Sequence, residues 1–446
     1  MDYIPNTFEN RKRMLEKIGV KDFSQLIQSI PPSILLKREL CLPQALSEMK
    51  LVKHLQELSF KNKSTQEMIS FLGGGAYDHF IPSVVNHILS RSEFYTAYTP
   101  YQAEVSQGTL QSIYEYQSLI CQLTGMDVSN ASMYDGASAL AEAALLAHTE
   151  TQRDEVLVFN SVHPHYIQVL RTYTRGAGLK IKVGRTDEGL IDVDDLEKRI
   201  SKKVACVIVQ NPNFFGLIEE VEKIEPLVHS SDALLVMVCD PISLGLLKPP
   251  GEYGADLACG EGQSLGNPLN FGGPFLGYFA GKENLIRRMP GRIVGATTDT
   301  EGKRGFVMTL QTREQHIRRG KATSNICTNE ALCALASCVY LSLMGKSGLK
   351  KLAELCLQKS HYALEKITQI DGFSKKFSAP FFKEFVVQTP IPSKRIIKSL
   401  LKKNIFAGID LSGYRLGFQN CLLISVTEKR TKEEIDYFVE QLKKLV

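Results

Sequence analysis

The run Val204-Ala205-Cys206-Val207-Ile208-Val209 decides the fold class. A short, continuously apolar run that is rich in β-branched residues is typical of a strand buried on both faces of a sheet. Similar β-rich runs occur in the middle of the chain at Glu155–Phe159, Lys180–Val183 and Ala233–Cys239. Helical stretches separate these runs and lie near Ile167–Thr172, Val193–Ile200 and Val221–Val228. Strands that alternate with helices predict an α/β domain with a mainly parallel sheet covered on both faces.

The N-terminal region has a different pattern. Residues 1–70 are rich in Leu, Ile and Lys with helical spacing, and Pro31-Pro32 and Pro43 interrupt them. Because proline breaks helices, this pattern predicts an N-terminal arm of short helices that wraps another surface. The composition then changes, and a large α/β domain is expected over residues 71–345, with a long helix over Leu110–Leu123.

The C-terminal region, residues 346–446, combines helices with strands. A long amphipathic helix is predicted over Leu349–Thr368, and strands are predicted over Phe382–Val387 and Cys421–Val426. The final helix starts at a capping box, Thr431 to Glu434, in which hydroxyl and carboxylate each satisfy an orphan amide. This region is expected to form a small α+β domain.

Composition narrows the class of protein. The chain has 446 residues, 43% hydrophobic and 23% charged, which is ordinary for a globular enzyme. No apolar run approaches the roughly 20 residues that span a bilayer, and the first residues do not have a signal-peptide pattern, so a cytoplasmic protein is expected. The ten cysteines form no CxxC pair and indicate core residues in a reducing compartment. Nucleic acid is not expected as a partner, because the lysine pairs Lys202-Lys203 and Lys350-Lys351 lack interleaved aromatic residues. A membrane is not expected either, since no apolar run is long enough to span one.

Polar residues follow two of the predicted strands. Asp240-Pro241 comes after Ala233–Cys239, and His163-Pro164-His165 comes after Glu155–Phe159. Open α/β sheets bind ligands at the carboxyl ends of their strands. There an aspartate can keep a pyridinium nitrogen protonated, and a histidine can stack on a flat aromatic ligand. Asp-Pro is also a common turn, and the two histidines have neither the spacing nor the neighbours of a metal site.

A third element lies at the start of an alanine-rich helix. In residues 135–143 (DGASALAEA), the free amides and Ser138 could bind a phosphate at the positive end of the helix. Gly and Ser also begin many helices only as caps. Both interpretations stay open at this point.

Taken in order, these elements resemble the aspartate-aminotransferase-like (fold type I) enzymes that use pyridoxal phosphate (PLP). In that family a lysine that forms an imine with PLP follows the last strand. Counting forward from Asp256 puts this position at Ser264, and counting back from Gly272-Gly273-Pro274 puts it at Gln263. Only an amine can form the imine, and Lys248 and Lys282 lie on the wrong sides of this segment. We therefore expect the architecture without its covalent anchor.

The interpretation depends on one absence, since no amine of this chain should stand where the imine needs it. A lysine side chain of this chain inside its own cleft beside Asp240 would contradict this interpretation.

A more specific resemblance lies in residues 95–108 (YTAYTPYQAEVSQG). This segment resembles the YTPYQ-x-E-x-SQG pattern of the glycine cleavage system P protein. Further matching segments run over most of the chain: LGGG at 72–75, LTGM at 123–126, NAS at 130–132, DG at 135–136, KPPGEYGAD at 248–256 and KATSNICT at 321–328.

The resemblance implies a role in a two-chain enzyme. The length and the missing lysine fit subunit 1, the N-terminal-half subunit of the split glycine dehydrogenase (decarboxylating). The partner, subunit 2, would carry the lysine and the PLP. Together they would decarboxylate glycine, release CO2 and transfer the aminomethyl group to the lipoyl arm of the H protein, while the T and L proteins of the system act indirectly.

The segment 95–108 supplies the candidate site residues. Its phenols, amides and carboxylate could orient the carboxylate of glycine, face the partner's PLP or line the entrance for the lipoyl arm, although Tyr and Gln also fill interfaces. The candidates are Tyr95, Tyr98, Tyr101, Gln102, Glu104 and Gln107. Ser324-Asn325, before a helix expected over Glu330–Met344, is a weaker candidate.

Two other hypotheses remain at this stage. The chain could be a stand-alone PLP enzyme with an atypical lysine, for which Lys248 is the best candidate because it lies between Asp240 and Asp256. It could also be a non-catalytic scaffold of the same fold. The sequence leaves open whether the assembly is αβ or α2β2.

Overall fold

The structure is a computed structural model that describes residues 6–322, 324–326, 328–414 and 416–446, with the side chain of Thr312 left out. The chain separates into one unit that ends at Lys63 and a second unit from Ser64 to Val446. The predicted arm, residues 1–70, therefore ends close to the boundary between the units. The predicted division at residue 345 falls inside the second unit and stays a prediction.

The described residues form fourteen α-helices and seventeen strands. The helices are Phe8–Ile18 (α1), Phe23–Leu26 (α2), Glu48–Ser59 (α3), Ser83–Leu89 (α4), Ser92–Tyr95 (α5), Gln107–Thr124 (α6), Gly136–Thr151 (α7), Pro164–Arg175 (α8), Val193–Arg199 (α9), Val221–Ser230 (α10), Gln315–Arg318 (α11), Ala331–Thr368 (α12), Ser393–Leu401 (α13) and Lys432–Lys443 (α14). The strands are Ile69–Ser70 (β1), Val128–Ser129 (β2), Glu155–Phe159 (β3), Lys180–Gly184 (β4), Thr186–Asp187 (β5), Leu190–Ile191 (β6), Val204–Gln210 (β7), Leu234–Val238 (β8), Leu257–Glu261 (β9), Gly277–Gly281 (β10), Ile293–Thr298 (β11), Arg304–Thr309 (β12), Ser374–Lys375 (β13), Glu384–Gln388 (β14), Ile405–Phe406 (β15), Ile409–Asp410 (β16) and Cys421–Ser425 (β17).

The largest sheet confirms the predicted α/β class. In the described part of the chain it contains seven strands in the order β2-β10-β9-β8-β7-β3-β4. The five strands from β9 to β4 are parallel to one another. Strands β10 and β2 are antiparallel to their neighbours and close one edge. The four predicted strands are β3, β4, β7 and β8.

Both faces of this sheet are buried, as the continuous apolar runs predict. Val156, Val158 and Ile208 point to one face, where they pack with helices α7 and α8. Their neighbours along the strands point to the opposite face, where they pack with residues of α9 and α10; they include Leu157, Phe159, Val207 and Val209. Because side chains alternate along a strand, a strand with both sets buried has no polar face.

The end of the chain forms the expected small α+β region. Strands β13, β14, β17 and β16 make an antiparallel sheet in that order. Helices α13 and α14 and the second half of α12 supply residues to the same core. The predicted capping box is confirmed, since the Thr431 hydroxyl accepts from the Glu434 amide at 3.2 Å and the Glu434 carboxylate accepts from the Thr431 amide at 3.0 Å.

The N-terminal unit contains the predicted short helices. None of the residues of α1, α2 and α3 is buried. Large apolar side chains are exposed throughout this unit, among them Phe8, which is 91% exposed, and Phe60, which is 80% exposed. Within the described residues the arm therefore has no hydrophobic core of its own.

Helix α12 is long and apolar enough to cross a membrane, with a mean hydropathy of 1.4 over its most apolar window. Gly345 interrupts it with non-helical backbone angles, φ 56° and ψ −174°. On both sides of Gly345 the helix contributes buried residues to the cores that it shares with α4, α6 and the small region. It packs as a bent core helix.

The sequence did not predict one feature of the large region. Strands β11 and β12 form an antiparallel hairpin that pairs Ile293 with Thr309 and Thr298 with Arg304. This hairpin packs against helix α6 through Val294 and Phe306.

Candidate functional site

The carboxyl ends of the parallel strands form a cleft, as expected for this fold. Asp240 follows β8, His163 follows β3, and Glu261 is the last residue of β9. Lys383 and the neighbouring Glu384 enter the cleft from the small sheet. We call the cleft that these residues line the strand-end cleft.

The prediction that no lysine of this chain lies beside Asp240 is wrong. The ammonium of Lys383 lies 2.7 Å from the Asp240 carboxylate, and the lysine side chain is only 2% exposed. The same ammonium lies 3.0 Å from Nε2 of His79 and 3.4 Å from the centre of the Tyr77 ring. Carboxylate, imidazole and aromatic face together use the donors that an ammonium offers.

The position of Lys383 differs from that of an imine-forming lysine. In PLP the aldehyde carbon lies across the pyridine ring from the nitrogen that an aspartate binds. A lysine that forms the imine therefore stands a ring's width away from that aspartate. Lys383 contacts Asp240 directly, so it does not stand where an imine-forming lysine would stand.

Both positions that the sequence assigned to the missing lysine are buried. Gln263 accepts from the Tyr77 amide at 2.8 Å, and it donates to the Tyr77 carbonyl at 3.1 Å and to the Asn267 carbonyl at 2.7 Å. Ser264 is buried, and its hydroxyl has no hydrogen-bond partner among the described residues. Gln263 therefore fixes the backbone of Tyr77, whose ring lies against Lys383.

The start of helix α7 is also occupied by protein atoms. Asp135 is the N-cap of this helix and forms a reciprocal capping box with Ser138, as the cap interpretation of this segment expects. The first helical amide, on Gly136, donates to the Glu261 carboxyl group at 3.0 Å. The other oxygen of Glu261 accepts from the amides of Gln263 and Leu276, each at 3.0 Å. Burial raises the pKa of Glu261 to about 8, although these three hydrogen bonds act in the opposite direction.

The ring of His163 packs against two aromatic neighbours and lines the strand-end cleft. Its ring lies 4.9 Å from that of Tyr166 in a stacked arrangement and meets Phe214 edge-on at 4.7 Å. Nδ1 accepts from the His165 amide at 3.1 Å, so Nε2 donates to the Gly74 carbonyl at 2.7 Å. Burial lowers the pKa of His163 to about 4, in keeping with a neutral ring.

His79, Cys356 and Glu428 lie close enough to share a cation, with donor atoms within 4.8 Å of one another. His79 and Glu428 already bind each other at 2.6 Å, and Glu428 also accepts from the Phe80 amide at 2.6 Å. Burial alone would raise the pKa of Glu428, but His79 and the Phe80 amide lower it to about 2. The Lys383 ammonium lies 3.0 Å from Nε2 of His79, so a positive charge already stands beside this cluster.

Whether PLP can be held in the strand-end cleft depends on the free volume between the side chains that line it. The cavity is about 30 Å³. That is room for roughly two water molecules, whereas pockets for small molecules measure about 300–1,000 Å³. The residues present therefore do not fit the cofactor.

The segment 95–108, which we call the tyrosine loop, lies on the surface between α5 and α6. Tyr98 is 81% exposed, and Tyr95 and Tyr101 are about half exposed. Tyr95 and Tyr98 line a cavity of about 140 Å³. Tyr101 lies outside the lining of this cavity and faces His316, with 6.0 Å between the ring centres.

Of the other three candidates of the loop, two are exposed and one forms hydrogen bonds with the β11–β12 hairpin. Gln102 and Glu104 are exposed. Gln107 donates to the Phe306 carbonyl at 2.9 Å and accepts from the Phe306 amide at 2.8 Å. Its carboxamide therefore holds the β11–β12 hairpin.

The tyrosine-loop cavity contains polar residues that the sequence did not single out. The buried Arg292 donates to Asn329 at 3.2 Å, and its guanidinium lies 6.0 Å from the centre of the Tyr101 ring. Asn329 in turn donates to the Ala131 carbonyl at 2.8 Å and to the Ser132 hydroxyl at 3.0 Å. Ala131 and Ser132 belong to the matching segment NAS, which was the available signal for this part of the site.

The remaining candidates lie elsewhere. Ser324 accepts from the Ile326 amide at 3.1 Å, and Thr323 and Cys327 of the same segment lie outside the described residues. Lys248 lies over the Tyr253 ring at 4.4 Å, and Lys282 pairs with Asp256 at 2.6 Å. Neither of these two lysines lines the strand-end cleft.

Comparison with known structures defines the fold class first. The structure is similar to that of a C-DES mutant with glycine covalently linked to the PLP cofactor, with a TM-score of 0.62, 14% identity and coverage of 86% and 99% of the two chains. The fold is that of the fold type I PLP-dependent enzymes. A second solved structure, glycine decarboxylase (P-protein) of the glycine cleavage system in inhibitor-bound form, has a TM-score of 0.91 and 41% identity, with all of both chains covered.

Sequence relationships define the family. The glycine cleavage system P-protein family matches residues 1–442. A probable glycine dehydrogenase (decarboxylating) subunit 1 from Carboxydothermus hydrogenoformans is 56% identical over 442 residues, which is 99% of each chain. The chain belongs to the glycine cleavage system P-protein family.

Proposed function

We propose that this chain is the subunit without the cofactor lysine in a two-chain glycine dehydrogenase (decarboxylating). With subunit 2 it decarboxylates glycine, releases CO2 and passes the aminomethyl group to the lipoyl arm of the H protein. The proposal rests on two findings together. The chain is 54–56% identical to subunit 1 relatives over 442 residues, and the polar groups of its cleft are paired with one another. The PLP and its lysine are assigned to subunit 2, and the complex is assigned to the cytoplasm.

The tyrosine loop is the part of the chain that we assign to the shared active site. Its phenols project from the surface, so they can reach a group held by another chain. Tyr and Arg are the residue types that contribute most at protein interfaces, and the loop combines three tyrosines with the nearby Arg292. In this proposal Tyr98 and Glu104 help to orient glycine, while Gln107 keeps the loop attached to the β11–β12 hairpin.

The test compares the purified chain with the reconstituted complex. Alone, the chain should lack the absorbance band of bound PLP and should turn over no glycine. Addition of subunit 2 should restore both. A lone chain that is yellow and decarboxylates glycine would contradict the assignment.

The position of Lys383 beside Asp240 is the one observation that favours a stand-alone PLP enzyme. That function requires space for the cofactor, and the cavity of about 30 Å³ does not supply it. A scaffold without a catalytic role is the other alternative. It predicts that changes of Tyr98 and Glu104 leave turnover of the assembled complex unchanged.

A further inference from the structure

Two subsites of the strand-end cleft would have to receive a phosphorylated pyridine. One is the start of helix α7, where free amides and the helix dipole favour an anionic group. The other is Asp240, at the carboxyl end of β8. We call them the phosphate subsite and the pyridinium subsite.

The phosphate subsite is filled by the carboxyl group of Glu261. Its two oxygens accept three backbone hydrogen bonds, from Gly136, Gln263 and Leu276. The surroundings are tightly packed, since a Cβ on Gly136 would lie 2.4 Å from the Tyr166 hydroxyl and 2.7 Å from the Glu261 amide. A phosphate at the start of α7 would have to displace the carboxyl group from the Gly136 amide, the one of the three that belongs to this helix.

The pyridinium subsite is filled by the ammonium of Lys383. It donates to Asp240 at 2.7 Å and lies 3.4 Å above the Tyr77 ring. These are the contacts that a protonated ring nitrogen would need, namely a carboxylate and an aromatic surface. Removal of one partner of a buried ion pair leaves an uncompensated charge, so Lys383 cannot leave Asp240 without cost.

We propose that the strand-end cleft is a closed cofactor site, in which Glu261 takes the place of the phosphate and Lys383 takes the place of the pyridinium. This chain therefore binds neither PLP nor inorganic phosphate in the cleft. The inference concerns this chain alone, so it stands or fails independently of glycine turnover by the complex.

Contacts beside the filled site fasten the small sheet to the large region. Glu384 of β14 accepts from the Gly74 amide and from the Tyr77 hydroxyl, each at 2.7 Å. After β17, Thr427 donates to the Asp78 carbonyl at 2.8 Å, and Lys429 pairs with the Asp78 carboxylate at 2.7 Å. Contacts from two strands of the small sheet thus converge on residues 74–78.

The first experiment uses the unmodified full-length chain. It is incubated with PLP, any imine is reduced with borohydride, and the labelled lysines are mapped by mass spectrometry. Lys303, whose side chain is 74% exposed, serves as an internal control and should be labelled. Lys383 should remain unlabelled, and equilibrium dialysis should find no saturable site for PLP or for inorganic phosphate. Stoichiometric labelling of Lys383, or a saturable site that the substitution Asp240→Asn abolishes, would overturn the proposal.

The second experiment tests the ion pair by a double-mutant cycle of Lys383→Met and Asp240→Asn, read as melting temperature. Each single variant keeps one buried charge without its partner, so each should melt below the wild type. The double variant removes both charges and should recover part of the loss in melting temperature. Variants that melt at the wild-type temperature, or single losses that simply add in the double variant, would show that Lys383 does not fill the subsite as proposed.

Discussion

The strand-end cleft and the tyrosine loop differ in what their polar side chains contact. In the cleft, Lys383 is 2% exposed and Glu261, Gln263 and Asp240 bind partners within the chain. In the loop, Tyr98 is 81% exposed and lines a cavity of about 140 Å³. The polar groups of the cleft are therefore paired with other groups of the same chain, whereas the phenol of Tyr98 in the surface loop is exposed to solvent.

The two regions differ in how far their polar groups are already paired within the chain. A buried polar group must be paired to be tolerated, so a cleft without its cofactor either rearranges or recruits side chains. Here Glu261 and Lys383 are those side chains. The proposed function accordingly assigns contacts with an external molecule to the exposed residues of the tyrosine loop.

The largest expected effect comes from restoring a lysine at the family position, as Gln263→Lys. Lysine has no acceptor, so the Tyr77 amide would lose its partner and a second ammonium would enter a buried region that already holds Lys383. We expect a loss of about 3–5 kcal/mol in the free energy of unfolding, measured by urea denaturation, and no PLP absorbance band.

The neighbouring variant Ser264→Ala is the matched control for Gln263→Lys. Its buried hydroxyl has no hydrogen-bond partner among the described residues, so its removal should cost less than about 1 kcal/mol. A Gln263→Lys chain of wild-type stability that forms an imine with PLP would show that the cleft is still competent.

The next largest effect tests the loop in the reconstituted complex. Tyr98→Ala should lower kcat/KM about 100-fold, equivalent to about 2.7 kcal/mol of transition-state stabilisation, while the exposed position predicts an unchanged melting temperature. Val105→Ala is the control, because Val105 is 79% exposed in the same loop and has no polar group. Unchanged turnover in Tyr98→Ala would favour the scaffold hypothesis.

The sequence predicted the central sheet because both faces of its strands are buried, which leaves continuous apolar runs such as that of β7. The β11–β12 hairpin lacks this signal. Most residues of β12 are only partly buried, so its apolar alternation is weak. A strand that packs by one or two side chains cannot be recognised reliably by periodicity.

The strand-end cleft was harder to predict, because the contact between Asp240 and Lys383 joins distant parts of the chain. Asp240 was identified from its place after a strand, but Lys383 comes from a different sheet. A usable signal was present: Lys383-Glu384 interrupts the apolar run from Phe381 to Val387. Charged residues are rarely buried unless they are paired, so that interruption indicated two buried charges in need of partners.

A smaller effect concerns the pH dependence of the region behind the cleft. Glu142 in α7 is buried, and burial raises its pKa to about 7, although the Ser324 hydroxyl acts in the opposite direction. Because the folded state holds this proton more tightly, the stabilisation is present below about pH 4.5 and is lost as pH rises through 7.

Glu142→Gln removes this titration. Between pH 5 and pH 8 the variant should gain about 2 kcal/mol in unfolding free energy relative to the wild type. Urea denaturation across this range provides the measurement. Parallel profiles for the two proteins would show that the Glu142 carboxyl group is solvated.

Gln107→Ala separates a structural role from a chemical one within the tyrosine loop. The variant loses both hydrogen bonds to the Phe306 backbone, so we expect a loss of about 1–2 kcal/mol and faster amide hydrogen exchange in β12. Reduced turnover of the complex with an unchanged exchange rate would instead place the carboxamide of Gln107 in the chemistry.

The smallest effect is expected for Lys248→Ala. The side chain of Lys248 is 39% exposed and lies 3.9 Å from Glu222. Exposed ion pairs contribute about 0–1 kcal/mol, so the variant should unfold within about 0.5 kcal/mol of the wild type and the complex should keep its turnover. Loss of activity would revive the stand-alone hypothesis. Lys248 is accessible but does not line the strand-end cleft, whereas Lys383 is buried and contacts Asp240 directly, which is not the place of an imine-forming lysine. Neither lysine therefore has the position that an imine requires.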